Sequence, residues 1–235
     1  MTESLAYPGD TRRLSVGEEV LNAVSHGVGA LLAVAGTVLL VLRAKAYGGL
    51  VNLVGVTVFG VSMILLYLFS CLYHALPPSK GKQVFQVLDH CSIFLLIMGT
   101  YAPVCLVTVG GPYGWVLFGI NLACGLVGIV LNAVDLARWK KLSLVLYLVM
   151  GWMAVLAMPV MLHNLSRIGF LLILLGGACL HRWCSLLSAK GQALPPRHLA
   201  FLCVGRHGVP FLCGIHQLLF LKAYDHHRHV RRRLL

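Results

Sequence analysis

Four polar residues near the middle of the chain have types and spacing suited to metal or acid–base chemistry. Ser70 and His74 lie four residues apart at the end of one long apolar segment. Asp89 and His90 lie at the start of the next segment. Because the short basic turn at 77–82 joins the two segments, we expect these four side chains at a similar depth on one side of a membrane.

Histidine is the commonest metal ligand, and a zinc ion that activates water needs about three protein ligands and one open position. We predict that His74 binds zinc and that Ser70, one turn earlier, orients the imidazole or a bound molecule. Asp89 is predicted to handle the proton of the metal-bound water. Taken alone, His74 is more simply interpreted as a hydrogen-bonded histidine at the membrane surface; its expected position facing Asp89 reverses that preference in favour of the metal interpretation.

The remaining zinc ligands must come from a distant segment. His207 begins the last apolar segment on the same side and is the best candidate, and His216 follows nine residues later. Nine steps of 100° place His216 on the opposite helical face, so both histidines bind one ion only if the helix breaks near Gly208 or Pro210. The histidines of the basic tail are expected to bind metal only adventitiously.

A second group of polar residues opens the first apolar segment. Glu19, Asn22 and His26 are spaced by three and four residues, which places them along one helical face. A polar helix start outside the lipid is the simpler interpretation. The expected position of the group on the same side as His74 favours an entrance to the site.

The composition indicates an integral membrane protein. Of 235 residues, 59% are hydrophobic and 11% are charged, whereas soluble domains have roughly 45–50% and about 25%. The net charge of +12 comes from residues between the apolar segments and in the tail. Membrane orientation and anionic lipid headgroups account for such charges, so we expect membrane lipids as partners and no nucleic acid. The oligomeric state is left open.

The hydropathy pattern predicts an all-α polytopic protein with seven transmembrane helices, because each span must satisfy its own backbone hydrogen bonds in lipid. We predict a cytoplasmic segment at 1–19, a seven-helix membrane domain at 20–222 and a basic tail at 223–235. The predicted spans are 20–43, 51–75, 85–108, 113–134, 142–161, 168–188 and 200–222. The eight cysteines form no Cys-x-x-Cys motif and are interpreted as small packing residues.

The basic residues beside the spans favour a cytoplasmic N-terminus. In that orientation the cytoplasmic segments carry nine lysines and arginines and the outer loops carry three, as the positive-inside rule requires. The cations of the tail disagree, since seven spans would place them outside.

The motifs resemble a known family, the haemolysin III proteins, which are bacterial members of the progestin and adipoQ receptor family. The resemblance covers about residues 14 to 178. It is carried by the following motifs: Glu19-x-x-Asn22-x-x-x-His26-Gly27, Ser70-x-x-Tyr73-His74, Leu88-Asp89-His90, Gly99-Thr100-Tyr101-Ala102-Pro103 and Tyr147-x-x-Met150-Gly151-Trp152.

The resemblance implies seven helices in the bacterial inner membrane and a zinc ion near the cytoplasmic face. Its ligands would be a histidine that matches His74 and a His-x-x-x-His pair in the seventh helix; Ser70 and Asp89 match the serine and aspartate around the zinc. The relation of the family to alkaline ceramidases implies hydrolysis of a lipid-like amide. The alternative is a non-enzymatic protein, either receptor-like or a pore-forming cytolysin, but polar residues gathered at one end favour a local site over a pore.

The C-terminal quarter departs from the family pattern. Four residues after His207 the chain has Phe211, and the charged segment at 180–187 interrupts what should be an apolar sixth helix. Read from the second base of each codon, that segment can encode Tyr-Ile-Gly-Gly-Val-Leu-Tyr, which resembles the family's sixth helix. A change of reading frame near residue 179 would explain the missing histidine pair and the misplaced positive tail.

Overall fold

The structure is a computed structural model that describes residues 14–164 together with 167, 170, 171, 174, 175 and 178. These residues form helices and connecting turns and contain no strand, which confirms the all-α prediction. Four of the helices are long and apolar enough to cross a membrane. The predicted span 200–222 lies outside the described residues, and the span 168–188 lies largely outside them. The count of seven therefore stays a prediction.

The first helix, α1 (Val16–Tyr47), begins four residues before the predicted span because a capping box starts it. The Ser15 backbone N–H donates to Glu18 Oε2 at 2.7 Å, and Ser15 Oγ accepts from the Glu18 N–H at 3.3 Å. This reciprocal pair satisfies two amide groups that a helix start leaves without intrahelical partners. The helix start is thereby fixed at the polar end of the chain.

The second helix, α2 (Leu50–Ala75), runs antiparallel to α1, as the order of the contacts between the two helices shows. Small residues bring the two backbones close together: Gly60 lies against Thr37, and Gly29 lies against the ring of Tyr67. Such close approach is the usual way in which membrane helices gain packing contacts where lipid removes the hydrophobic driving force. The end of α2 is thus brought beside the start of α1.

The third helix, α3 (Lys80–Pro103), lies in the centre of the described bundle and is the most buried of its four candidate spans. Its start, five residues before the predicted one, is capped by Ser79, whose Oγ accepts from the Lys82 N–H at 3.2 Å. Gly99 of α3 packs on Ser62 of α2, and Phe94 packs on Gly128 of the following helix. The central position lets α3 present side chains to helices on both sides.

A six-residue π-helical turn (Val104–Val109) follows Pro103 and leads into Gly110 and Gly111. Both glycines have positive φ, 65° and 61°. Residues with a Cβ rarely adopt this left-handed conformation. The two glycines therefore allow the chain to reverse direction within two residues.

The fourth helix, α4 (Gly111–Trp152), consists of two limbs that meet at Asp135. Asp135 has an extended conformation (φ −159°, ψ 94°), and its Oδ1 accepts from the Arg138 N–H at 2.9 Å. It is therefore the N-cap of the second limb, with the side-chain acceptor that a helix start prefers. The prediction left 135–141 between two spans, whereas the helix resumes immediately after Asp135 because that residue caps it.

The two limbs of α4 pack antiparallel as a hairpin. Ser143 Oγ donates to Asn132 Oδ1, and further along the same interface Asn121 Nδ2 lies 4.0 Å from Met153 Sδ. From the first contact to the second, the partners move away from the turn by 11 residues in one limb and by 10 in the other. The 45-residue apolar stretch at Gly111–Val155 is accordingly folded back on itself, as the predicted spans 113–134 and 142–161 require.

A short 3₁₀ turn (Met153–Val155) and the helix α5 (Met158–Asn164) follow α4. This interruption lies where the sequence predicts a bend near Pro159. Asn164 Nδ2 donates to the Thr108 carbonyl at 2.8 Å, which places α5 beside the π-helical turn. That end of the bundle is opposite the end at which α1 begins.

Candidate functional site

One end of the bundle collects charged and imidazole side chains from three helices. The start of α1 contributes Glu19, the end of α2 contributes His74, and the start of α3 contributes Lys82. The Glu19 carboxylate lies between the other two: its Oε2 is 2.7 Å from His74 Nδ1, and its Oε1 accepts from Lys82 Nζ at 2.9 Å. We call these three residues the polar clasp.

The clasp is partly shielded from solvent. The exposed fractions of the side chains are 12% for His74, 22% for Glu19 and 18% for Lys82. Charges at this depth are screened less by salt than charges on a free surface. A carboxylate held between an imidazole and an ammonium is therefore a favourable arrangement, and it joins segments 55 and 63 residues apart.

Lys82 makes two further contacts that fix its position. Its Nζ donates to the Leu76 carbonyl at 3.1 Å and lies 5.1 Å from the centre of the Tyr73 ring. The carbonyl at the end of α2 accepts a cation favourably, and the ring adds a cation–π attraction. The lysine thereby closes the turn between α2 and α3 over the clasp.

His26 extends the clasp toward the interior of the bundle. Its ring is buried and stacks on the His74 ring, with centroids 6.0 Å apart and planes 10° from parallel. The ring also lies 5.9 Å from the Tyr67 ring, measured between centroids. Two of the predicted entrance residues, Glu19 and His26, are thus brought directly to His74.

The other predicted site residues have different surroundings. Ser70 is buried in α2 one turn before His74, and Asp89 is half-buried in the first part of α3. The hydrogen-bond partner of the His74 ring is Glu19 and not Asp89, which the sequence prediction had placed opposite it. The difference arises because α1 begins early enough to bring Glu19 level with the end of α2.

His90 makes a contact within its own helix, and Asn22 lies in the first part of α1. His90 Nδ1 lies 2.9 Å from the Gln86 carbonyl one turn earlier. Asn22 is half-buried, and its carbonyl accepts from Ser25 Oγ at 2.9 Å. His207 and His216, the two predicted distal ligands, lie outside the described residues.

Lys82 was missed as a site residue. In the sequence, the cations of the 77–82 turn indicate only the orientation of the protein in the membrane. A detectable signal was present: a lysine three residues after a helix-capping serine, in the turn that joins two site-bearing segments. In the structure this cation reaches the acidic residue at the start of α1, which packs on α2.

A second polar network lies deeper between α3 and α4. Tyr147 Oη donates to the His90 carbonyl at 2.9 Å, and Asn132 Nδ2 donates to Tyr147 Oη at 3.4 Å. Ser143 completes the network through its bond to Asn132, and the three side chains are buried. The network ties both limbs of α4 to the part of α3 that carries Asp89 and His90.

The described residues do not form a complete zinc site. Within 14–164 and the few described positions beyond, no three His, Cys, Asp or Glu side chains lie close enough together to hold a metal ion. His74, Glu19 and the stacked His26 lie together at the clasp end of the bundle. Because a zinc site that activates water uses three protein ligands, the residues described here fit at most a part of one.

These features define a class of protein: a polytopic helical membrane protein with a cluster of polar residues at one end of its bundle. The family described as haemolysin-III related matches residues 14–184. The chain is 41% identical to hemolysin-3 of Bacillus cereus over 162 residues, which are 69% of this chain and 74% of the relative. It is 40% identical to the hemolysin-3 homolog of Bacillus subtilis strain 168 over 163 residues, 69% of this chain and 76% of the relative.

The chain therefore belongs to the haemolysin-III related family. No solved structure matches it significantly. Family membership and the four candidate spans together identify a multi-pass membrane protein.

Proposed function

We propose that the clasp end of the bundle is part of a zinc site in a membrane-embedded hydrolase that acts on a lipid-like amide. The observation that carries the proposal is the Glu19–His74 contact of 2.7 Å, which holds an imidazole in a partly buried position at a membrane boundary. Ionisable residues at such positions are costly and are usually retained for function. In the proposed orientation, the protein lies in the bacterial inner membrane and its N-terminus is on the cytoplasmic side.

The residues of the chain have distinct roles in this proposal. His74 is the zinc ligand from α2, with its ring supported by Glu19 and stacked on His26. Ser70 and Asp89 are the groups that orient the bound molecule and hold or transfer a proton. When bound, zinc would polarise the amide carbonyl and lower the pKa of water to about 7. Since the described residues supply an incomplete set, the other ligands would come from the rest of the chain.

The zinc content of the purified protein tests this function. We expect detergent-solubilised full-length protein to contain about one zinc per chain and His74→Ala to lose it, because one of about three ligands is removed. His163→Ala is the matched control, since His163 is exposed on α5 at the opposite end. Elemental analysis by mass spectrometry gives the content. Equally negligible zinc in the wild-type protein and in His74→Ala would remove the hydrolase proposal.

The proposed change of reading frame would supply the missing ligands of this site. The family match ends at residue 184, close to the point near 179 at which the frame is proposed to change. Read from the second base of each codon, the segment from Pro196 to Phe201 can encode His-Ala-Ile-Trp-His. This is a pair with the His-x-x-x-His spacing that the family resemblance implies for the missing zinc ligands.

Resequencing the gene and analysing the protein by peptide mass spectrometry test the frame. We expect the corrected gene to encode the shifted segments and the protein to yield the corresponding peptides. Peptides that match 190–235 as printed, together with an unchanged gene sequence, would reject the frame change. In that case His207 and His216 remain the candidate distal ligands.

A non-enzymatic, receptor-like protein is the second candidate. The observation that favours it is the clasp itself, because Lys82 and His74 satisfy the Glu19 carboxylate without any ligand. A clasp of this kind is sufficient to hold three helices together without binding a ligand. The relatives are named hemolysin-3, and a pore-forming role is the third candidate for this chain. A pore needs polar side chains that face its channel, whereas the buried hydroxyls of Thr37 and Ser62 donate to carbonyls of their own helices.

A further inference from the structure

The hydrogen bonds of the clasp determine which ring nitrogen of His74 carries the proton. Lys82 Nζ lies 2.9 Å from Glu19 Oε1 and can only donate, so this oxygen is an acceptor, and the contact is that of an ion pair between an ammonium and a carboxylate. An ionised carboxylate has no proton to give. Because Glu19 Oε2 lies 2.7 Å from His74 Nδ1, the hydrogen between these two atoms belongs to the imidazole.

We infer that Glu19 is a positioning residue for His74 and that Lys82 holds the other oxygen of the Glu19 carboxylate. The neutral imidazole is held with its proton on Nδ1 and its lone pair on Nε2. Only Nε2 is then left to bind a cation or to accept a proton, since one ring nitrogen donates and the other accepts in the neutral ring. A carboxylate that supports a histidine in this way fixes the ring orientation and raises its basicity as a ligand.

The position of the His74 proton is inferred independently of the proposed function. The consequence for metal binding rests on the proposed function. With Glu19 as the carboxylate of the ion pair with Lys82, the clasp geometry requires a proton on His74 Nδ1. The role of Lys82 follows from the same geometry: it occupies one carboxylate oxygen and leaves the other for the imidazole. Glu19 and Lys82 can hold the His74 proton on Nδ1 without contacting a bound ion.

The variant Glu19→Gln tests the inference because an amide has one acceptor and one donor group. Lys82 can only donate, so the single amide oxygen is expected to turn toward it. The amide NH₂ then faces His74 Nδ1, which must become an acceptor. We expect the proton of His74 to move to Nε2 in this variant.

The double variant Glu19→Gln/Lys82→Met is expected to reverse the effect. Without the ammonium, the glutamine oxygen is free to accept from His74 Nδ1, and the Nδ1–H form returns. Lys82→Met alone should keep the wild-type form, since Glu19 can still accept. Glu18→Gln is the matched control, because it makes the same charge change one residue earlier, in the capping box of α1.

Nitrogen-15 NMR of the His74 ring in metal-free full-length protein in lipid nanodiscs distinguishes the two forms. The measurement is made near pH 8.5, above the ordinary histidine pKa of about 6.5, and His74→Ala assigns the signals. An Nδ1–H ring in the wild type and an Nε2–H ring in Glu19→Gln would support the inference. An Nε2–H ring in the wild type, or no change in Glu19→Gln while the double variant is also unchanged, would overturn it.

Zinc titration of the same variants separates this inference from the proposed function. Loss of an outer-shell partner typically weakens metal binding by about 10–100-fold, so Glu19→Gln is expected to show such a loss and the double variant to recover much of it. If the wild type binds no zinc, the proposed function fails while the NMR result still decides the role of Glu19. If zinc binds equally in all variants, Glu19 does not position His74 for metal.

Discussion

Gly114→Leu is expected to destabilise the bundle by about 3 kcal/mol or more, the upper part of the range for overpacking. Any Cβ at Gly114 would meet the carbonyl oxygen of Cys105 in the π-helical turn. That obstacle is backbone, and it is held in place by the Gly110 N–H, which donates to the same carbonyl at 2.9 Å. The strain therefore cannot be relieved by rotating a side chain.

Gly119→Leu is the matched control for this prediction. Gly119 lies in the same limb of α4, but nothing lies within 4 Å of a Cβ built there. We expect its effect to remain within about 1 kcal/mol, since leucine is a better helix former than glycine. Thermal unfolding in detergent, followed by size-exclusion chromatography, measures both variants. Similar stability of the two would contradict the close packing of α4 on the π-helical turn.

Asn132→Leu is expected to cost about 1–3 kcal/mol. The substitution removes the acceptor of the Ser143 hydroxyl and a donor to Tyr147 Oη, all within a buried network. Leaving a polar group without its partner inside the bundle costs more free energy than a hydrogen bond normally contributes, because neither water nor lipid replaces the partner.

Asn121→Leu provides the comparison. Asn121 is as fully buried as Asn132, and both lie in the first limb of α4. However, Asn121 Oδ1 has no hydrogen-bond partner among the described residues. We expect this variant to be neutral or slightly stabilising, so the two substitutions should differ by about 1–3 kcal/mol. Equal effects in reversible unfolding would show that the Asn132 network contributes nothing to stability.

The fold was predictable where apolar length and cap residues determine it. The predicted spans 20–43 and 51–75 lie within α1 and α2, because a hydrophobic run of this length has few alternatives to a helix. The starts of α1 and α3 were misplaced by four and five residues. Their caps, Ser15 and Ser79, lie in polar segments that hydropathy alone assigns to loops.

The candidate site was only partly predictable, since it depends on how deeply each helix sits beside its neighbours. Periodicity placed Glu19 and His26 on one face of α1, and the structure brings both to His74. Spacing within a segment could not show that Glu19 rather than Asp89 would reach the imidazole. That choice depends on the register between α1 and α2, which the contacts of Gly29 with Tyr67 and Gly60 with Thr37 set.

The single-residue reversal at Asp135 has a consequence for biosynthesis. Only 135–141 separate the apolar parts of the two limbs. No long soluble segment therefore lies between the two limbs during synthesis. We therefore expect the two limbs to enter the membrane together as a helical hairpin, with Asp135 at its tip. Lengthening that tip would uncouple two insertion events that the natural chain joins.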